Sequence, residues 1–165
     1  MIDIIKWGGK GYSLEWFDDE DFSKLNNVTQ VYGFLFDRDG KIVIVKHGDL
    51  SDWRLPGGGP EKVDGDWKDT IRRESSEEAD VEISDIFPLG YIKVTPSDKK
   101  MKIHYLLRCA GKITRVNEQT VDEAVGIINE RKFIEPSEFL SYCPWGNTGK
   151  ANIEKAIRIW YDRIK

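Results

Sequence analysis

Cysteine and histidine are scarce in this chain, with two of each among 165 residues. Cys109 and Cys143 have neither CxxC spacing nor a histidine nearby, which excludes a zinc cluster and leaves two ordinary thiols. His47 and His104 stand alone in or beside strand-like segments, where a histidine is more often a packing or surface residue than a catalyst. Long apolar runs are missing too. No stretch of about 18 consecutive apolar residues is available to span a bilayer. The opening residues, with Asp3 and Lys6, lack the basic-then-apolar order of an export signal. The expectation is a soluble, cytoplasmic protein with no membrane contact. Nor is basic charge in surplus: 25 Lys and Arg against 29 Asp and Glu give a net charge of −4. The two signs are interspersed, so no basic face is offered to a nucleic-acid backbone. There is no internal repeat and no low-complexity segment.

What the chain does have is enough apolar material for one core, 39% hydrophobic with six Trp. Its length predicts a single domain over residues 1–165, with an N-terminal hairpin and lead-in over 1–27 and a C-terminal helix over 151–165. Residues 4–17 read as a hairpin around the Gly-rich turn at 8–11. A second hairpin follows, 28–36 and 41–46, joined by Asp37-Arg38-Asp39-Gly40. Glycines and prolines crowd residues 55–66 and predict a long loop without regular structure. Asp66 can then cap a helix from Trp67 to about Ala79, with Asp69 in its first turn. Strands are predicted at 87–94 and 101–109, with weaker strand signals at 124–128 and at Lys132-Phe133-Ile134. Pro136 sits where a short helix can start. Ile153, Ala156, Ile157, Trp160, Tyr161 and Ile164 mark an amphipathic helix that docks on a core.

The chemistry is concentrated in Arg73-Glu74-Ser75-Ser76-Glu77-Glu78. Carboxylates at i, i+3 and i+4 project from one side of a helix and repel, at a cost of only about a few tenths of a kcal/mol per pair in water. An acidic, solvated face is therefore the bland reading. Helical phase argues against it, because Glu78 falls about 20° from Ile71, inside the apolar arc that holds Trp67, Ile71 and Ser75. A carboxylate at a core edge needs compensation, and a divalent cation shared with Glu74 and Glu77 can supply it. Upstream, Leu55-Pro56-Gly57-Gly58-Gly59 lets main-chain atoms approach a ligand closely. Loop and helix together are far more specific than either alone.

Residues 58–81 resemble the Nudix box, G-x5-E-x7-R-E-U-x-E-E-x-G-U, where U is a bulky aliphatic residue. Gly58, Arg73, Glu74, Glu77, Glu78 and Val81 fit, and Leu-Pro-Gly-Gly after Trp53 is a common lead-in. Three departures stand out. One extra residue separates Gly58 from Arg73, so the first Glu of the box corresponds to Asp64, Gly65 or Asp66, none of them Glu. Ser75 replaces the aliphatic residue, and Asp80 replaces the glycine that ends the helix.

The resemblance implies an α/β fold, an α/β/α sandwich on a mixed sheet, with the Trp67 and Ile153 helices on its faces. It implies Mg2+ or Mn2+ bound by Glu74, Glu77 and Glu78 with a carbonyl from Gly57, and catalytic roles for Arg73, Glu74 and Glu77. The implied substrate is a small-molecule nucleotide, a nucleoside diphosphate derivative or nucleoside triphosphate, cut at a phosphoanhydride. The rival is a Nudix-fold module that binds a nucleotide without cutting it. Glu61 is a further candidate ligand, as are the downstream acids Glu123, Glu130, Glu135 and Glu138. Trp53, Tyr32 and Tyr105 are candidates to stack on a base, although aromatic residues in strands are more often core. Asp66 is expected to support the loop by capping, whereas replacing Asp64 by alanine is expected to change little. Arg73 also has a bland role, as an i, i+4 partner of Glu77. Gly149-Lys150 is not a phosphate loop, since Pro144 and Ala151 occupy key positions of that motif.

Overall fold

The computed structural model describes residues 1–48, 52–124 and 126–165. Strands β1 (Ile2–Trp7), β2 (Lys10–Phe17), β3 (Val28–Phe36), β4 (Ile42–Lys46), β5 (Gly57–Gly58), β6 (Val81–Pro96), β7 (His104–Val116) and β8 (Glu130–Ile134) make one sheet. Its order is β1-β2-β6-β7-β3-β4-β8, with β5 paired to β3 off that path. The β3–β7 pair is parallel and the others antiparallel, so the sheet is mixed as expected.

Strands β3 and β4 are buried on both sides, which explains their nearly unbroken apolar sequence. Val31, Leu35, Val43 and Val45 face one cluster with Ile71 and Ala79 of α1 (Trp67–Ala79). Phe34, Phe36, Ile42 and Ile44 face the opposite cluster, with Phe139 of α2 (Phe139–Tyr142) and Ile153 and Ala156 of α3 (Gly146–Ile159). The period-two alternation thus feeds two cores and makes the predicted sandwich.

Several local expectations shift. The loop over 55–66 is not wholly irregular, because Gly57 and Gly58 pair with Tyr32 and Val31. Strand β6 outruns its predicted span at both ends, starting two residues after α1 ends, while β7 starts three residues later than predicted and runs on to Val116. The second hairpin opens after its first pair, Phe36 with Ile42, and β4 then pairs with β8. Of the strand signal at 124–128, Val125 lies outside the described residues, and Ile127 forms only a single bridge with Asp122. The short helix after Pro136 is present as a 3-10 turn, Pro136–Glu138, leading into α2. The last helix begins at Gly146, before its apolar periodicity starts, and ends in a π-helical turn, Trp160–Ile164. Tyr161 is 64% exposed and not part of the core. Both thiols are buried, and burial pushes each up to about 12, so neither is a nucleophile at neutral pH. No helix among the described residues is long and apolar enough to cross a membrane.

Candidate functional site

Helix α1 starts where the sequence predicts. The Asp66 carboxylate accepts from the N–H of Lys68 at 2.8 Å and of Asp69 at 3.1 Å, the latter shared with the Asp66 carbonyl, and so caps the helix start. Its apolar face, Ile71 and the fully buried Ser75, lies on the sheet, and the Ser75 hydroxyl donates to the Ile71 carbonyl. That bond spares Ser75 an unpaired polar atom where the box has an aliphatic residue. At the far end Asp80 takes the left-handed conformation, φ 50° and ψ 45°, that the box assigns to glycine. Its carboxylate accepts from Thr120 Oγ1 at 2.6 Å and Thr120 N at 3.0 Å, an anchor glycine lacks.

The glycine loop lies against this helix. Gly57 has φ +154°, and a Cβ there would stand 2.1 Å from the Val31 carbonyl oxygen, so only glycine fits. A Cβ on Gly58 would lie 2.3 Å from Glu74 Oε1, so the missing side chain is what lets Glu74 rest on the loop backbone.

Arg73 is the hub of the arrangement. It grips Asp64 with two hydrogen bonds, 3.1 Å from Nε and 2.9 Å from Nη2, and donates to the Gly59 carbonyl at 2.9 Å. Nη1 reaches Glu74 at 2.9 Å and Glu77 at 3.1 Å, with Glu61 3.6 Å away. Asp64 is therefore no bystander. It is only 4% exposed, also accepts from Thr70 Oγ1 and Glu61 N, and the Arg73 guanidinium holds its carboxyl down at about 2. These contacts argue against the expectation that replacing Asp64 changes little. The expected i, i+4 ion pair of Arg73 with Glu77 exists alongside these contacts.

The three carboxylates differ in environment. Glu77 is 44% exposed. The Glu74 side chain is 12% exposed, and desolvation, reinforced by repulsion from Glu78 and Glu77 against the attraction of Arg73, pushes its carboxyl up to about 7. Glu78 is buried, as helical phase predicts, but protein donors already surround it. Gly57 N donates to one oxygen at 2.9 Å, while Arg54 Nη2 and His47 Nε2 converge on the other, each at 2.8 Å. His47 thus has a role that its isolation in sequence hides, and Arg54 carried no sequence signal. His104 stays outside, with only a 3.4 Å contact to the Lys102 carbonyl.

These side chains line one cleft of about 570 Å3 with Glu61, Asp122, Ala124 and Ile127. Among downstream acids it is Asp122, not the predicted ones, that reaches this cleft. Glu130 pairs with Lys46, Glu135 with Lys41, and Glu138 caps the Pro136 turn. Of the aromatic residues, Trp53 packs edge-on to Tyr142 and Tyr105 to Tyr91, while Tyr32 meets Trp145 and Arg108.

The donors fit a hard divalent cation in kind, being carboxylate and carbonyl oxygens against a backbone without side chains. The acidic charge of the cleft also exceeds its cationic charge, since Arg73 is already matched by Asp64. As the side chains stand, no three acidic, histidine or cysteine groups among the described residues converge on one point. Arg73 and Arg54 lie between the carboxylates and hold them, so a cation would have to take over those contacts.

The NUDIX domain family model matches residues 27–153. With that match over most of its length, the chain belongs to the Nudix family and is a hydrolase acting on pyrophosphate bonds. Solved structures agree in fold. A variant of a Bacillus subtilis pyrophosphohydrolase aligns with a TM-score of 0.70 at 17% identity, covering 89% of this chain and 91% of that one. A NUDIX hydrolase from Nitrosomonas europaea aligns at 0.60 and 13% identity, covering 81% and 90%. The Ap4A hydrolase of C. elegans aligns at 0.54 and 14% identity, covering 81% and 98%. No curated protein sequence matches the chain. Nudix hydrolases generally need divalent metal ions.

Proposed function

We propose that the protein hydrolyses a phosphoanhydride in a small nucleotide, a nucleoside triphosphate or a nucleoside diphosphate linked to another group, with Mg2+ or Mn2+ held by Glu74, Glu77, Glu78 and the Gly57 carbonyl. The observation that carries this is the packing of Glu74 onto side-chain-free Gly58, in a cleft shared with Glu77, Glu78 and Arg73. A divalent cation held by these residues would supply charge neutralisation for the pyrophosphate and make water more acidic. Arg73, locked by Asp64, orients Glu74 and Glu77 from the helix side. Arg54 now neutralises Glu78. Once released it offers a guanidinium to the incoming phosphate, for which its planar donors are suited. In this reading Glu74 or Glu77 takes a proton from the attacking water. The names of similar structures include a pyrophosphohydrolase and an Ap4A hydrolase, which supports this substrate class.

The test is a panel of nucleoside triphosphates, dinucleoside polyphosphates and sugar nucleotides, incubated with magnesium or manganese and with a chelator. Turnover of at least one class with metal and none with chelator is expected. Metal-independent turnover, or none on any class, would overturn the proposal.

A further inference from the structure

Beside the acidic cleft lies a second cavity, of about 510 Å3, floored by Arg108. Arg108 on β7 and Tyr32 on β3 are register partners, so their side chains rise from the same face of the sheet. The guanidinium sits 4.9 Å from the Tyr32 ring centre and 5.2 Å from that of Trp145, and the two rings meet edge-on at 5.8 Å. The walls are apolar, with Leu14, Ile92 and Leu106 among them. Leu14 belongs to the N-terminal hairpin, outside the segment that matches the family model.

Arg108 is 3% exposed and forms no ion pair among the described residues. Burial lowers it to about 10, so it still carries its charge. Nε donates to Asn152 Oδ1 at 3.0 Å and Nη1 to the Leu107 carbonyl at 3.1 Å, which leaves Nη2 for the cavity. Beside it, Asn152 Nδ2 is buried with no hydrogen-bond partner among the described residues. Asp3, the carboxylate on the cavity wall, is already held by Thr148 N at 2.7 Å and by Asn147. A buried cation without a counter-charge is costly unless something with acceptor atoms completes it.

We propose that this cavity is the base subsite of the enzyme, and that Arg108 selects a guanine-type base, one with a carbonyl at position 6, stacked on Trp145 and Tyr32. A flat heteroaromatic ring suits apolar walls and aromatic faces, where a phosphate would lose its hydration. The major-groove edge of guanine presents two acceptors to a guanidinium, whereas adenine keeps the ring-nitrogen acceptor but replaces the carbonyl by an amino donor, which repels it. Position supports the same assignment. Tyr32 pairs through its backbone with Gly57, the residue whose N–H holds Glu78, and a further hollow shares Tyr32 with this cavity and Arg54 with the acidic cleft. The assignment rests on the function proposed above for the name subsite, but its test does not need hydrolysis.

Calorimetric titration of the metal-free protein with guanosine, inosine and adenosine 5′-monophosphates isolates the base, since the phosphate is common to all three. The guanosine and inosine compounds are expected to bind at least about tenfold more tightly than the adenosine compound. Arg108→Gln should bring the three within about twofold, and Trp145→Leu should weaken them together. Should Arg108→Gln fail to fold, the wild-type comparison of inosine with adenosine still decides. Equal or reversed affinities, no binding at millimolar concentration, or selectivity that survives Arg108→Gln would overturn the subsite. Hydrolysis without base preference would remove the subsite and leave the function standing. Base-selective binding without metal-dependent hydrolysis would do the reverse.

Discussion

Replacing Asp64 by alanine separates loop support from solvation more sharply than any other single change. Wild-type Asp64 is 4% exposed, and its carboxyl is held at about 2 against an ordinary 3.8. At about 1.4 kcal/mol per pH unit, that depression corresponds to roughly 2 kcal/mol of stability at neutral pH. A folded-state pKa below the unfolded value means the contribution is complete above about pH 4 and disappears as pH falls through about 2. Arg73 keeps Glu74 and Glu77 as partners in the variant, so the full cost of about 3–5 kcal/mol for breaking a buried pair is not reached. For a chain of this length about 2 kcal/mol lowers the melting temperature by roughly 4–8 °C. Thermal unfolding followed by circular dichroism at pH 7 and in steps down to pH 2.5 reads both effects. The reasoning is refuted if Asp64→Ala melts within about 1 °C of wild type at pH 7. A deficit that stays undiminished near pH 2.5 would refute its electrostatic origin.

Asp66→Ala should cost about 1 kcal/mol through loss of the helix cap while preserving most of the turnover at low temperature, so a stable but inactive variant would move Asp66 into the chemistry. Gly58→Ala should cut turnover at least about tenfold, because its Cβ occupies the position of Glu74 Oε1; unchanged turnover would show that the Glu74 position is irrelevant. Asp80→Gly relieves left-handed strain but loses both bonds to Thr120, and a net loss of about 1 kcal/mol is expected in denaturant titration, whereas a gain would make the Thr120 anchor negligible.

What sequence reveals here is local, and what it hides is long-range. The helix, the Asp66 cap and the burial of Glu78 follow from periodicity within 13 residues. Arg73, two turns into α1, reaches back nine residues to Asp64, which sits on the loop whose path the glycines leave undetermined in sequence. His47 and Arg54 meet Glu78 across separations of 31 and 24 residues, which only the docking of α1 on the sheet can create. Asp122 arrives from the connection between β7 and β8. The pairing of Tyr32 with Arg108 needs the parallel β3–β7 register, a pairing that hairpin signals do not encode.

The claim that Glu74, Glu77 and Glu78 form the metal site meets its most direct test in calorimetric titration of Mn2+ into wild type, Glu77→Gln and Glu78→Gln. Each variant keeps shape and removes one charge, and folding is checked by thermal melting because Glu78 also holds Arg54 and His47. Saturable binding to wild type, weakened at least about tenfold in each folded variant, is the predicted result. Absence of binding to wild type at millimolar Mn2+, or equal binding by all three proteins, would contradict it.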